Sequence, residues 1–312
     1  MKICMVGSGR MAHVHSCCLR QVTGVILDTV VSTDTRALEP FADEFDYRHA
    51  TSDLREALRD PDLDAVVICT PNTLHASQSA LALRAGKHVL CEIPLALSLQ
   101  EGKRLTRLAR ERDLALMVCH TERFRSGRME LAERISSGAL HPKHVMARFH
   151  MLRRGELQTD PQREGWVDNL LWHHGCHAVD AVSSLLGETE FLELHAQFGP
   201  PWPSLDLPID IDLQWRTPHD ILVNITLSHN AHWGVHDYRF ICLEDTVVCD
   251  HGTLRNKGGI LVKGDEGLTP NMRQAREFVS AVREGREPLV SGEAALSTLH
   301  ILQEAWDTFG QA

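Results

Sequence analysis

What most limits how this chain can fold stands at its start. A short apolar run, Lys2–Val6, opens directly into Gly7-Ser8-Gly9-Arg10-Met11-Ala12. The first glycine permits a tight turn, the second lets backbone approach a pyrophosphate, and the small Ala12 lets helix and strand pack closely. A helix beginning here aims its amide-rich end at phosphate. Gly7, Ser8, Gly9, Arg10 and Met11 are therefore predicted to hold a dinucleotide, provided that the loop joins a strand to a helix in a parallel sheet.

The residues that follow supply that setting. Val25–Ser32 reads as a second strand, Pro40–Phe45 and Asp53–Asp60 as helical, and Ala65–Thr70 as a strand covered on both faces. Thr73–Ala85 is an amphipathic helix closed by Gly86. His88–Cys91 is a strand, Leu99–Glu111 a helix and Ala115–Cys119 a further strand. Such alternation predicts right-handed crossovers and a doubly wound sheet. After His120 the pattern changes. Met129–Ser137 reads as a helix, Val145–Arg153 as a strand and Asp168–Leu186 as a long helix. Strands are then predicted at Glu190–Phe198, Asp210–Thr217, Ile221–His229, Arg239–Leu243 and Thr246–Asp250, and helices at Met272–Glu284 and Glu293–Phe309. The predicted fold class is α/β: an N-terminal Rossmann domain over residues 1–120, then an α+β domain over 121–312 with a largely antiparallel open sheet.

At 312 residues the chain suits two domains, and its 43% hydrophobic and 24% charged content is ordinary for a globular protein. A formal charge of −10 argues against nucleic acid and anionic membranes as partners. It also means that an anionic substrate needs a local arginine cluster to hold it. No stretch has the length of a membrane span, and the start leaves no room for a signal peptide. The nine cysteines form no Cys-x-x-Cys set, and Cys4, Cys69, Cys91 and Cys119 fall in apolar runs. They read as packing thiols of a cytoplasmic protein.

The second predicted strand ends Val30-Val31-Ser32-Thr33, with Asp34 and Arg36 beyond it. An acid at the strand end would hold the ribose hydroxyls of NAD. Neutral Ser32 and Thr33 with Arg36 nearby suit a 2′-phosphate, so NADP is predicted, with NAD kept open by Asp34. The chemistry is sought in Trp172-His173-His174-Gly175-Cys176-His177-Ala178-Val179-Asp180. On a helix, His173 and His177 share a face, as do Cys176 and Asp180. Imidazole titrates nearest neutral pH, so His177 and His173 are candidate proton acceptors for a substrate hydroxyl. Arg123, Arg153 and Arg154 are candidate carboxylate partners, with Arg163 and Arg239 weaker ones. Side chains alternate along a strand, so Arg153 and Arg154 should not both face one site. His174 and Asn230 are further candidates for the substrate, with His229 and His232 beside Asn230. Trp166 and Trp172 are read first as core packing, although Trp166 could stack on a planar ring. Zinc held by the helix histidines with His229, His232 and His236 is the competing reading. No cysteine or carboxylate spacing completes that set, so no metal is predicted.

The glycine loop, the segment Cys69-Thr70-Pro71-Asn72-Thr73-Leu74-His75, the block Glu92-Ile93-Pro94 and the stretch Glu277–Pro288 resemble the glucose–fructose oxidoreductase/inositol dehydrogenase (Gfo/Idh/MocA) family along the whole chain. The resemblance implies cofactor contacts at Thr70, Pro71, Asn72, His75, Glu92, Ile93 and Pro94. Where the family has Glu-Lys-Pro, this chain has Ile93. Where the family's helix motif begins with aspartate, it has His173, while His177 and Asp180 match. Two of three usual catalytic positions are thus changed.

Within the family, Glu92–Ala96, His120-Thr121-x-Arg123-Phe124, Arg153-Arg154 and the stretch Trp166 to His174 look like dehydrogenases of a dicarboxylated ring-cleavage aldehyde. By that likeness the substrate is oxidised as its cyclic hemiacetal to a pyrone dicarboxylate. A sugar, inositol or other lactol is the alternative substrate, and a non-catalytic dinucleotide sensor is the third reading. A homodimer through the open sheet face is expected.

Overall fold

The computed structural model describes residues 1–154, 169–187 and 190–309. These fall into two compact units. One contains Met1–Cys119 and Asn271–Ala295, and the other contains described residues from 120–154, 169–270 and 296–309.

The first unit alternates strand and helix: β1 Lys2–Val6, α1 Arg10–Leu19, β2 Ile26–Val31, α2 Thr35–Phe45, β3 His49–Thr51, α3 Leu54–Ala57, β4 Ala65–Ile68, α4 Asn72–Arg84, β5 His88–Cys91, α5 Leu99–Glu111 and β6 Leu116–Val118. Among the described residues the six strands lie in the order β3-β2-β1-β4-β5-β6, and every pairing is parallel. All four residues of β4 have no exposed surface. A parallel sheet sandwiched between helices requires such continuous apolar strands. The strand order reverses direction between β1 and β4, and ligands of such sheets bind at the carboxyl ends beside that point.

Asp34 caps α2 by accepting from the amides of Arg36 and Ala37 at 3.1 and 3.3 Å. The cap starts the helix five residues before the predicted Pro40, which α2 accommodates in its interior. Residues 271–295, including most of the helix α8 (Pro270–Glu284), return to this unit. They are tied there by Arg283 Nη2 to Thr23 O (2.7 Å), Val118 N to Val290 O (2.9 Å) and Gly292 N to Leu116 O (2.8 Å). A single cut near residue 120 cannot describe that return.

The second unit is built on an eight-stranded sheet. Its strands are β7 Pro142–Leu152, β8 Glu193–Phe198, β11 Asp210–Arg216, β12 Leu222–Ser228, β13 Asn230–Cys242, β14 Thr246–Asp250, β15 Thr253–Asn256 and β16 Gly259–Val262. A separate two-stranded ribbon pairs β9 Pro201–Trp202 with β10 Leu207–Pro208. The order is β16-β15-β14-β13-β7-β12-β11-β8, with β7 and β12 parallel and the other neighbours antiparallel. One face buries Val145, Ala147 and Phe149 of β7, Val223, Ile225 and Leu227 of β12, and Ile211, Leu213 and Trp215 of β11. Helices α7 (Cys176–Leu186) and α9 (Leu296–Phe309) pack with the sheet. The opposite face carries polar rows: Arg148 with Asp237, His150 with Thr226, His144 with Asn224.

Several elements depart from the sequence reading, among them β3 and the β9–β10 ribbon, for which no strand is predicted. The long helix predicted from Asp168, itself outside the described residues, begins as a π-helical turn, Leu171–Gly175, before α7. Strand β13 starts at Asn230 instead of Arg239, with an irregular register between Asn230 and Val235. The hairpin β15–β16 carried no strand signal because its second strand is largely exposed. No described helix is long and apolar enough to cross a membrane.

Candidate active site

In the first unit, Gly7 has φ +117°, and a Cβ there would meet Cys69 O at 2.7 Å. Only glycine fits. Its amide donates to Val31 O at 2.7 Å, pinning the loop across the ends of β1 and β2. A Cβ on Gly9 would instead meet nothing within 4 Å. Gly9 therefore borders open space at the start of α1, where backbone amides face outward, and this cradle fits a pyrophosphate. Ser8 Oγ lies 2.8 Å from the buried Ser32 Oγ. Oδ1 of Asp34 is occupied by the cap of α2, while Thr33 and Arg36 are exposed. Arg10 is exposed and Met11 half-buried beside the loop.

The next two blocks are braced against each other. His75 has no exposed surface, and its two ring nitrogens lie 2.8 Å from Pro94 O and Thr70 O. Burial lowers its pKa. His75, predicted to touch the cofactor, is thus a strut between the Thr-Pro-Asn and Glu-Ile-Pro loops, because both its nitrogens face backbone. Thr70 donates to Gln78 at 2.6 Å, Asn72 is buried at the first turn of α4 behind Pro71, and Ile93 and Pro94 are buried. Glu92 reaches back to α1, its Oε1 lying 2.7 Å from His15 Nε2.

The second unit contains two buried polar clusters. The first is centred on Asp180, which is fully buried. Arg123 donates to it from Nε at 3.0 and 3.2 Å and from Nη2 at 2.5 Å, and Thr298 Oγ1 donates at 3.2 Å. Burial alone would push the Asp180 carboxyl up, but the Arg123 guanidinium overrides it and holds the pKa down at about 2. His120 Nδ1 stands 3.5 Å from Asp180 Oδ2. Burial holds the His120 pKa at about 4, so at neutral pH this contact joins a neutral ring to a carboxylate and is no ion pair. The carboxylate fork expected of Arg123 is therefore already engaged within the protein.

The second cluster is made of imidazoles. His174 Nδ1 lies 2.7 Å from His229 Nε2, and Arg153 Nη1 lies 3.4 Å from His174 Nε2. Arginine can only donate, so His174 Nε2 accepts and its Nδ1 carries the proton given to His229. Burial, with His173, His229 and Arg153 nearby, lowers the His174 pKa well below 6.5 and keeps it neutral. His173 stacks on His174 at 4.1 Å between ring centroids. His177 is half-buried, and its Nδ1 has no hydrogen-bond partner among the described residues. Both nitrogens of His174 are thus committed within the protein.

The structure thus gathers His173, His174 and Arg153 of the predicted set, and adds His229 as the partner of His174. Arg154 and Asn230 go elsewhere. Arg154 Nε donates to Asn230 Oδ1 at 2.6 Å and its guanidinium lies 5.3 Å from the Trp202 ring centroid. Asn230 Nδ2 donates to Asp210 at 3.3 Å, so this side chain is a structural link. Both arginines follow the end of β7, so strand alternation does not separate them; these side-chain bonds do. Arg239 is exposed on β13, His232 is exposed, and Arg163 and Trp166 lie outside the described residues. Nothing in the sequence signals His120 beside Asp180, or Thr298, which is remote in the chain.

Residues 1–120 match the family model described as oxidoreductase family, NAD-binding Rossmann fold, and residues 127–262 match bacterial oxidoreductases, C-terminal. A 4-carboxy-2-hydroxymuconate-6-semialdehyde dehydrogenase of Sphingobium sp. (strain NBRC 103272 / SYK-6) is 30% identical over 308 residues, 97% of each chain. An NADP(+)-dependent scyllo-inositol 2-dehydrogenase of Bacillus subtilis (strain 168) is 29% identical over 154 residues, 49% of this chain and 43% of the relative. The structure of a levoglucosan dehydrogenase complexed with NADH superposes with TM-score 0.87 at 18% identity, covering 100% of this chain and 97% of the other. Taken with the glycine cradle and the paired sheets, these matches show that the chain belongs to the Gfo/Idh/MocA family and is an NAD(P)-dependent oxidoreductase.

Proposed function

We propose that this enzyme oxidises the cyclic hemiacetal of 4-carboxy-2-hydroxymuconate-6-semialdehyde to 2-pyrone-4,6-dicarboxylate, using NADP. The observation that carries the reading is the Arg153–His174–His229 chain beside His173 and His177: a cation held on the buried, neutral His174 within a group of imidazoles. A dicarboxylate needs such a cation, and a lactol hydroxyl needs such a base. The full-length likeness to the Sphingobium enzyme supports the substrate. The nicotinamide, when bound, supplies the hydride acceptor. His177 takes the lactol proton, His173 stacks on His174, and Arg153 receives a carboxylate while fixing the His174 tautomer. Arg123 acts as a positioning residue through Asp180. Ser32, Thr33 and Arg36 receive the 2′-phosphate, a reading supported by the engagement of Asp34 in the α2 cap. Nucleotide reduction assays with the ring-cleavage product, run in parallel with NADP and NAD, test this. Strong NADP reduction is expected, and no reduction of either nucleotide with this substrate would refute the reading.

A sugar, inositol or other lactol is the second reading, favoured by one observation: Arg123 is bound to Asp180 and leaves one fewer cation for a dianion. We also propose a homodimer through the open, polar face of the sheet. Sedimentation showing only monomer would contradict it.

A further inference from the structure

Three side chains with metal-ligand chemistry converge inside the nucleotide-binding unit. His15 lies on α1, Glu92 directly follows β5, and Cys119 directly follows β6. Their ligand atoms all lie within 4.8 Å of one another. His15 Nε2 is 2.7 Å from Glu92 Oε1 and 3.8 Å from Cys119 Sγ. His15 and Cys119 are buried and Glu92 nearly so.

We propose that His15 Nε2, Glu92 Oε1 and Cys119 Sγ form a site for one thiophilic divalent cation, with Zn2+ the best fit. Zinc binds thiolate at about 2.3 Å and imidazole at about 2.0–2.1 Å, which at a tetrahedral angle separates sulfur from nitrogen by about 3.6 Å. The observed 3.8 Å is already near that span. The short histidine–carboxylate contact has to open by roughly 0.7 Å to admit the ion. Charge favours the arrangement as well. One carboxylate, one thiolate and a neutral imidazole balance a dication, so a buried site ends neutral. Binding releases the thiol proton to solvent, while the imidazole proton moves to Nδ1. Among the described residues His15 Nδ1 has no hydrogen-bond partner, so the outer anchor common to tightly held zinc imidazoles is missing. The ion is therefore exchangeable, with water completing its coordination. Because Glu92 and Cys119 sit at carboxyl ends of parallel strands, the ion shares its crevice with the dinucleotide and opposes its binding.

A second thiol beside an imidazole lies on α1 and serves as the control. Cys17 Sγ lies 3.7 Å from His13 Nδ1, and His13 Nε2 lies 2.8 Å from Glu44 Oε1. The test uses the full chain and Co2+, whose thiolate charge-transfer absorption reports a cobalt–sulfur bond. One equivalent of Co2+ should produce that band, Zn2+ should abolish it, and saturating NADP should weaken it. Cys119→Ser should remove the band and Cys17→Ser should leave it. Absence of the band in the natural chain, or its loss in Cys17→Ser but not in Cys119→Ser, would overturn the proposal. Should Cys119→Ser fail to fold, His15→Gln, expected to weaken Co2+ binding at least tenfold, is read instead, and unchanged binding would overturn the proposal equally.

Discussion

The two units use their polar atoms in opposite ways. In the Rossmann unit the recognition surface is mostly backbone: a left-handed Gly7 turns the loop and an open Gly9 leaves the start of α1 accessible, while Asp34 caps α2. Its fully buried His75 serves as a strut between loops. In the second unit, chemistry rests on side chains bound to one another, with Arg123 on Asp180 and Arg153 on His174. A backbone site is written in short local motifs, whereas a side-chain site is assembled from positions far apart in sequence. His174 and His229 are 55 residues apart, and Asp180 and Thr298 are 118 apart.

The sharpest way to break this contrast is His177→Ala. Turnover should fall roughly 10²–10⁴-fold, the range for loss of a general base, while nucleotide binding stays intact. Next, Asp180→Ala removes the buried carboxylate that Arg123 grips and should cost about 3–5 kcal/mol, read by denaturant unfolding. A loss no greater than that of a surface substitution would show that the cluster does not hold the unit together.

Acid should also test the burial of the second unit's imidazoles. His120 and His236 are held at about 4 by burial, and burial lowers His174 too, whereas an unfolded imidazole titrates near 6.5. The unfolded chain thus binds more protons below pH 6.5, so stability is intact above that value and drains away as the pH falls to about 4. For His120 the difference corresponds to on the order of 3 kcal/mol of that loss. Asp180, held at about 2, adds its own loss only below about pH 4. His120→Phe should flatten the melting-temperature profile between pH 6.5 and 4, and an unchanged slope would remove His120 from the account.

Smaller effects refine the substrate and cofactor readings. Arg153→Ala should lower kcat/KM for the dicarboxylate about 10–100-fold and for a neutral lactol much less. Equal losses on both would favour the sugar or inositol reading. Arg36→Ala should reduce the preference for NADP over NAD roughly tenfold, measured as the ratio of kcat/KM values.

Much of the fold could be read from the sequence because hydrophobic period and glycine position are local signals. Lys2–Val6, the glycine loop and Ala65–Ile68 announce a parallel sheet without help from distant residues. The alternation of Ile211, Leu213 and Trp215 does the same for the second sheet. The π-helical turn was hidden, since its hydrogen-bond register is chosen by packing. A Cβ on Gly175 would lie 2.9 Å from Leu227 Cδ1, so glycine there lets the turn press against β12. In the candidate site, residue types were legible and their partners were not. Arg123 looked like a substrate clamp because nothing in the sequence shows Asp180 facing it. Asn230 looked available because Arg154 and Asp210 are distant or on another strand. Arg153, by contrast, kept a place beside the histidines.

The central claim is that His177 exchanges the proton lost as the lactol is oxidised. The most direct measurement compares single-turnover NADP reduction by the natural chain and His177→Ala on the ring-cleavage hemiacetal across pH. The account predicts a rate lowered roughly 10²–10⁴-fold in the variant, with loss of the fall in rate toward acid pH that protonation of the base causes. An unchanged rate and an unchanged pH profile would contradict it.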